Sequence, residues 1–309
     1  MLREVLDIIE ILDSPKVDGE IVGKFFTEEG AENIVVKEIR EGLNSTHVIR
    51  ILIPGTQGKA SNGEFPTLGI IGMAGGVGAY PEFTGLVSDA DGVITALAAA
   101  LKLTRMKKRG ISLKGDVIVA THVTPRAKLI PHEPVPFVGS PISVPRLVRE
   151  LVDPEMDAIL SIDTTRGNRV INVKGIAITP TVKEGWILKV PEALLDILQN
   201  VTGRVPAVVP ITMQDITPYG TGVYHINSIM QPATVTSAPV VGVALTAEVP
   251  VPGCATGATD VYSIEHAVRF CIEVAKEFTS RRIQFYDEEE YKLLVRLYGK
   301  MNVLQKGEQ

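Results

Sequence analysis

The sequence predicts an α/β protein built on a mostly parallel sheet. Four short, largely apolar runs carry that reading: residues 68–73, 116–121 (DVIVAT), 158–162 (AILSI) and 240–245, each with the character of a strand buried on both faces. Amphipathic helical stretches alternate with them along the chain. The polar residues best suited to chemistry follow the ends of these runs, at the carboxyl edge where open α/β sheets keep their sites.

At 309 residues the chain has room for one large domain or two ordinary ones. It has no linker, composition shift or internal repeat, so a single α/β domain over 1–309 is the simpler reading. Within it, 1–66 hold N-terminal helices and edge strands, 67–280 the core, and 281–309 a C-terminal helix. Hydrophobic residues at 45% and charged residues at 22% mark a globular chain. A net charge of −5 without long single-sign runs argues against nucleic acid or an anionic membrane as partner. Lys107-Lys108-Arg109, the nearest approach to a basic patch, complements a helix C-terminus. Cys254 and Cys271 form no disulfide framework, and no CxxC occurs. The first residues lack a signal-peptide layout, and no apolar run approaches a membrane span, so a soluble, cytoplasmic protein is expected.

In chain order, Leu2, Val5, Leu6, Ile9 and Leu12 recur at helical spacing up to Ser14-Pro15. A short helix follows Asp18, with Ile21, Phe25 and Phe26 facing inward. Residues 33–39 and 46–53 suggest two strands, and 54–65 an exposed polar loop. The run 68–73 passes through the glycine-rich GMAGGVGAYPEF to a helix whose inward stripe is Val93, Ala96, Leu97, Ala100 and Leu101. The proline-rich segment 124–145 has no clear periodicity, and loops of that length are usually functional or mobile. Then come a short helix (147–151), the run ending at Asp163, strands at 168–173 and 175–178, and a helix (192–198) with Gly203 near its C-cap. A strand at 207–211 precedes a polar loop through Gln214, Asp215, Tyr219 and His225. Helices close the chain at 260–278 and 288–298.

Several residues are candidates for chemistry. In Ser88-Asp89-Ala90-Asp91-Gly92, Asp91 or Ser88 can cap the following helix. Asp89, further from that helix, is the better metal ligand. Asp163 is either a ligand or a turn-former bonded to nearby backbone. His122 follows DVIVAT at the same edge, and His132-Glu133 lie beyond it. Asp89, Asp163 and His122 together would suit one divalent ion such as zinc; alternatively each histidine bonds a backbone carbonyl. Gly75 and Gly76 either cradle an anion with their N–H groups or simply permit a tight turn, and the segment matches neither GxGxxG nor Walker A. The chain has no G-x-S-x-G elbow. Cys254 is either a nucleophile, with His225 or His122 as base, or an inert loop residue. Thr256 and its neighbouring glycines suggest a loop lining something, whereas His225 and His266 read as structural.

In order and spacing from Leu68 to Phe278, the chain resembles the dinuclear zinc aminopeptidase superfamily, especially its glutamyl-aminopeptidase and endoglucanase-like branch. LVSDADGVITALAAALKL resembles that family's bridging-aspartate helix, with Asp89 at the bridging place. GDVIVATHV resembles the strand leading to Glu-Glu, AILSIDTT the strand bearing a later aspartate ligand, Asp163, and 238–268 the late strand, ligand loop and closing helix. The resemblance implies a three-layer αβα sandwich with a mostly parallel mixed sheet, without that branch's inserted second domain. The chain departs from the pattern at the ligands. Gly72-Met73-Ala74 stands where His-x-Asp belongs, Pro125-Arg126 approximately where Glu-Glu belongs, and Thr256, with Cys254 close by, near the place of the late histidine. Taken whole, the chain looks most like an uncharacterised group of prokaryotic proteins known only as a domain of unknown function.

The expectation is therefore an aminopeptidase-like fold with a degenerate dinuclear metal site. It would bind a small metabolite or peptide-like ligand through some of Asp91, His132, Glu133, Cys254, Thr256, Gly75 and Gly76, without standard peptidase activity. The alternative is a hydrolase of a small amide or peptide with a rebuilt single-metal site, in which Asp89, Asp163, His122 and one of His132 or Glu133 hold an ion that activates water. Relatives of this fold often oligomerise, so a homo-oligomer is expected.

Overall fold

The computed structural model describes residues 1–80, 85–131, 133, 135–165, 167–211 and 227–305. The chain opens with α1 (Leu2–Leu12), which buries Val5, Ile8 and Leu12. Next is α2 (Gly19–Glu29), capped by Asp18, whose carboxylate accepts the Ile21 N–H. β1 (Asn33–Glu41) and β2 (Asn44–Ile53) form a hairpin over the two-residue turn Gly42-Leu43, where Gly42 takes φ 60°. β3 (Leu68–Gly72), the two-residue β4 (Ala79–Tyr80), α3 (Asp91–Lys108) and β5 (Val117–Val123) follow. β6 (Ala127–Ile130), β7 (Phe137–Val138), α4 (Val144–Leu151) and β8 (Ala158–Thr165) lead into β9 (Gly175–Ile178), β10 (Thr181–Lys183) and β11 (Trp186–Leu188). α5 (Glu192–Thr202), β12 (Val240–Thr246), α6 (Val261–Phe278) and α7 (Glu288–Tyr298) complete the order.

Nine strands form the main sheet in the order β1-β2-β5-β3-β8-β12-β10-β11, with β9 also pairing β12. β5, β3, β8 and β12 pair in parallel, and β2, β9 and β10 join them antiparallel. The sheet is thus mixed around a parallel centre. Period-2 alternation sorts its side chains to two faces. Leu68, Ile70, Leu160 and Ile162 join the larger apolar cluster under α1, α3, α5 and α6. Ile71, Ala120 and Ile159 join the smaller one under α4 and the 3-10 helix Ser228–Thr234. Each buried aliphatic side chain contributes roughly 1.5–3 kcal/mol.

Between α3 and the sheet there is no room for a side chain at Gly92. A Cβ there would lie 2.7 Å from the Ile162 carbonyl and 2.9 Å from that of Met73. This close approach seats the start of α3 against the carboxyl ends of β3 and β8. On its outer side α3 is tied to its neighbours by Arg105. Its guanidinium takes both oxygens of Glu29 from α2 (2.9 and 2.7 Å) and Asp7 from α1 (2.6 Å).

Three expected features differ. The segment 124–145 contains β6 and β7, which join β4 in a separate three-stranded sheet. Strands of two to four residues are too short to show a period. Residues 168–173 form no strand, because the Asn168 side chain accepts the N–H groups of Val170 and Ile171 (2.8 Å each) and folds the chain into a turn. Residues 207–211 supply a single bridge, Val208 to Ile178, since Pro206 and Pro210 have no N–H to extend a ladder. Among the described residues no helix is long and apolar enough to cross a membrane.

Candidate functional site

The carboxyl edge is assembled from the segment after β3, the turn into α3, the ends of β5 and β8, and the loop after β12. β3 leaves the sheet at Gly72, and Ala74 then takes the left-handed φ of 58°, an uncommon conformation for a residue with a Cβ. From there the chain runs beside the end of β5. Thr124 N–H donates to the Gly75 carbonyl (2.8 Å) and Val77 N–H to that of Thr124 (3.1 Å). Gly75 and Gly76 are consequently packing glycines. A Cβ on Gly75 would meet the His122 carbonyl at 1.9 Å, and one on Gly76 would meet Val138 at 2.5 Å. The Gly75 N–H is already given to His122, so an anion cradle cannot use it.

His122 is buried among hydroxyls. Its Nε2 accepts the Gly75 N–H at 2.8 Å, which leaves the ring proton on Nδ1, 3.0 Å from Thr46 Oγ1. The Thr46 hydroxyl in turn donates to the Val123 carbonyl (3.1 Å). Burial pushes the imidazole down to about 4, so the ring is neutral at physiological pH. Nε2 thus fastens the post-β3 segment to β5, while Nδ1 ties β5 to Thr46 of β2.

Asp89 lies on the 3-10 turn Ser88–Ala90 that enters α3. Its N–H donates to the Gly253 carbonyl (2.9 Å) and its carboxylate accepts the Val138 N–H (3.1 Å). Gly253 packs directly against that carboxylate, since a Cβ there would lie 2.1 Å from Oδ1. Neither expected cap forms. Ala90 is the N-cap of α3, with no side-chain bond, because Ser88 Oγ turns instead to the Pro252 and Gly253 carbonyls. Asp91 is the first helical residue and fully buried, and it places its carboxyl group at the helix N-terminus.

Asp163 is buried near the end of β8. By alternation it shares the α4 face with Ile159, and there its Oδ2 accepts the hydroxyl of Ser228 (2.8 Å). Its Oδ1 accepts the N–H of Thr164 (2.8 Å). Thr164, on the opposite face, donates to the Ser88 carbonyl (3.0 Å) and so joins β8 to the turn carrying Asp89. Cys254 is half-buried. Burial first, then the Asp89 carboxylate, raise its pKa, which keeps the thiol protonated and works against a nucleophilic role. Thr256 and Glu133 are exposed. His132 and the expected loop residues Gln214, Asp215, Tyr219 and His225 lie outside the described residues. A cleft of about 250 Å³ opens elsewhere, beside β9, α5 and α6, and His266 lines it.

A dinuclear zinc centre needs several converging carboxylate and imidazole donors. The donor set here does not fit one. Asp89, Asp163 and His122 are not gathered into one ligand set, and among the described residues no three His, Cys, Asp or Glu side chains are placed to hold an ion. His122 would have to break its Gly75 bond to expose a lone pair. Sequence reasoning missed the Ser228 hydroxyl and the Val138 N–H, whereas Gly253 belongs to the loop expected to line something. Its signal is the glycine-rich run after β12; a single hydroxyl and a backbone N–H leave none.

Fold and site together define an α/β protein with carboxylates and tightly packed glycines along the carboxyl edge of a mixed sheet. Over residues 37–308 the chain matches the model of the family described as protein of unknown function (DUF1177), and it belongs to that family. No curated protein matches the chain.

Proposed function

We propose that the chain is an aminopeptidase-like fold whose metal centre has degenerated, and that it binds a small metabolite or peptide-like ligand at the carboxyl edge without standard peptidase chemistry. The observation that carries this reading is the state of His122. The histidine nearest the expected centre is sealed, neutral and spent on holding Gly75. The succession β3, Asp89 turn, α3, β5, β8 with Asp163, β12, loop and α6 supports the fold half of the proposal. Asp89 is a partly exposed carboxylate of that succession, suited to the ammonium group of a peptide-like ligand.

The test joins metal analysis to ligand screening. Purified protein supplied with zinc or manganese should carry no stoichiometric metal and release nothing from a panel of aminoacyl p-nitroanilides. A dipeptide and amino-acid library should contain a member that raises the melting temperature of the wild type and not of Asp89→Asn. Stoichiometric metal lost in Asp89→Ala and Asp163→Ala, together with hydrolysis, would replace this reading with the single-metal hydrolase.

A further inference from the structure

β1 forms one rim of the main sheet, and among the described residues no strand lies outside it. Its ladder to β2 is unbroken from Asn33–Leu52 to Glu41–Asn44, without a bulge or proline. The two-residue turn makes Glu41 and Asn44 a hydrogen-bonded pair, so the odd-numbered residues of β1 bond inward to β2. The even-numbered residues therefore turn their N–H and C=O groups outward. Arg40 bears this out, since its carbonyl accepts Nη1 of Arg146 (2.8 Å) from outside the sheet. That leaves the outward groups of Ile34, Val36 and Glu38, a set symmetric about Val36.

We infer that a second copy of this chain docks antiparallel on β1, with Val36 on the two-fold axis, to make one continuous sheet. Such an axis stands perpendicular to the sheet and preserves its faces, so only residues of equal parity can oppose each other. Three registers then lie near the middle of the strand. Centred on residue 37, Lys37 opposes its own copy, and Ile34 must pair with Arg40, whose carbonyl Arg146 holds. Centred on 38, Glu38 opposes Glu38. Centred on 36, Val36 meets Val36, Ile34 meets Glu38, Val35 meets Lys37, and Glu32 meets Arg40 of the partner subunit at both ends. This register uses all the outward groups of residues 34, 36 and 38 in about six bonds and places no like charges opposite each other.

Charged side chains on an edge strand commonly guard it. Here Lys37 is folded back on Glu150 of its own chain (2.8 and 2.7 Å), and Val35 is 59% exposed beside it.

Sedimentation analysis of the full chain tests the inference. Wild type should run as a dimer. Val36→Pro, which removes the N–H on the axis and leaves the β2 ladder intact, should run as a folded monomer by circular dichroism. Arg40→Glu should weaken the dimer roughly tenfold through two symmetry-related like-charge pairs, and Glu32→Arg with Arg40→Glu should restore it. If Val36→Pro does not fold, the charge swap decides. A wild type that stays monomeric at high micromolar concentration overturns the inference, as does a dimer indifferent to a folded Val36→Pro or to the charge swap.

Discussion

The two edges of the parallel core both carry buried carboxylates, and they use them differently. At the amino edge Asp116, just before β5, accepts the N–H groups of Gly55 and Ala60 (2.8 Å each) and gathers the loop after β2 around itself. Gly58 lies so close that a Cβ would fall 2.0 Å from Oδ1. At the carboxyl edge Asp89 accepts from Val138 and packs against Gly253, and Asp163 accepts from Ser228 besides its own neighbour Thr164, so three separate segments come to the two acids. Asp116 organises one loop, whereas Asp89 and Asp163 sit where several elements meet. A carboxylate at a strand end is thus no mark of function by itself; what distinguishes the edges is how many independent segments converge on the acid.

Breaking the amino edge should give the largest effect. Asp116→Ala orphans two backbone donors and opens a void beside Gly58, and should lower the unfolding free energy by roughly 3–5 kcal/mol in urea titration. Asp116→Asn, which can satisfy only part of that pattern, should fall between.

His122 separates the edges by pH. Its folded pKa of about 4 lies below the ordinary value of 6.5, so the unfolded chain takes up the proton first as pH falls. Its contribution is complete above pH 6.5 and declines through the window from 6.5 to 4, by on the order of 3 kcal/mol in all. His122→Gln, whose side-chain oxygen can still accept the Gly75 N–H, should flatten that slope in denaturation measured at pH 7 and pH 4.5.

The smallest structural effect belongs to Asp89→Asn. It keeps an oxygen for the Val138 N–H and should cost less than about 1 kcal/mol of stability. Its loss should instead appear in the melting-temperature response to peptide-like ligands, and a large stability loss would place Asp89 beside Asp116 as a purely structural acid.

Much of the frame was legible before the structure. The runs that became β3, β5, β8 and β12 declare themselves because strands buried on both faces carry little but aliphatic side chains. Helix α5 ends at Gly203, which takes φ 65° as a left-handed cap should. The separate sheet of β4, β6 and β7 was not legible, because strands of two to four residues show no period and β4 finds its partner β6 far along the chain. The caps at Ser88 and Asp91 were misread for a related reason: the carbonyls that attract Ser88 arrive from Pro252 and Gly253, far along the chain.

The sequence by itself determined the α/β class, the order of the buried strands and the edge on which the polar residues lie, because period and composition are local properties. Only the tertiary structure decided that His122 fastens Gly75, that Asp163 faces Ser228, and that Gly92 seats α3 against β3 and β8. Those outcomes depend on hydrogen bonds and sub-van-der-Waals clearances between segments separated by tens of residues, and no local pattern records them.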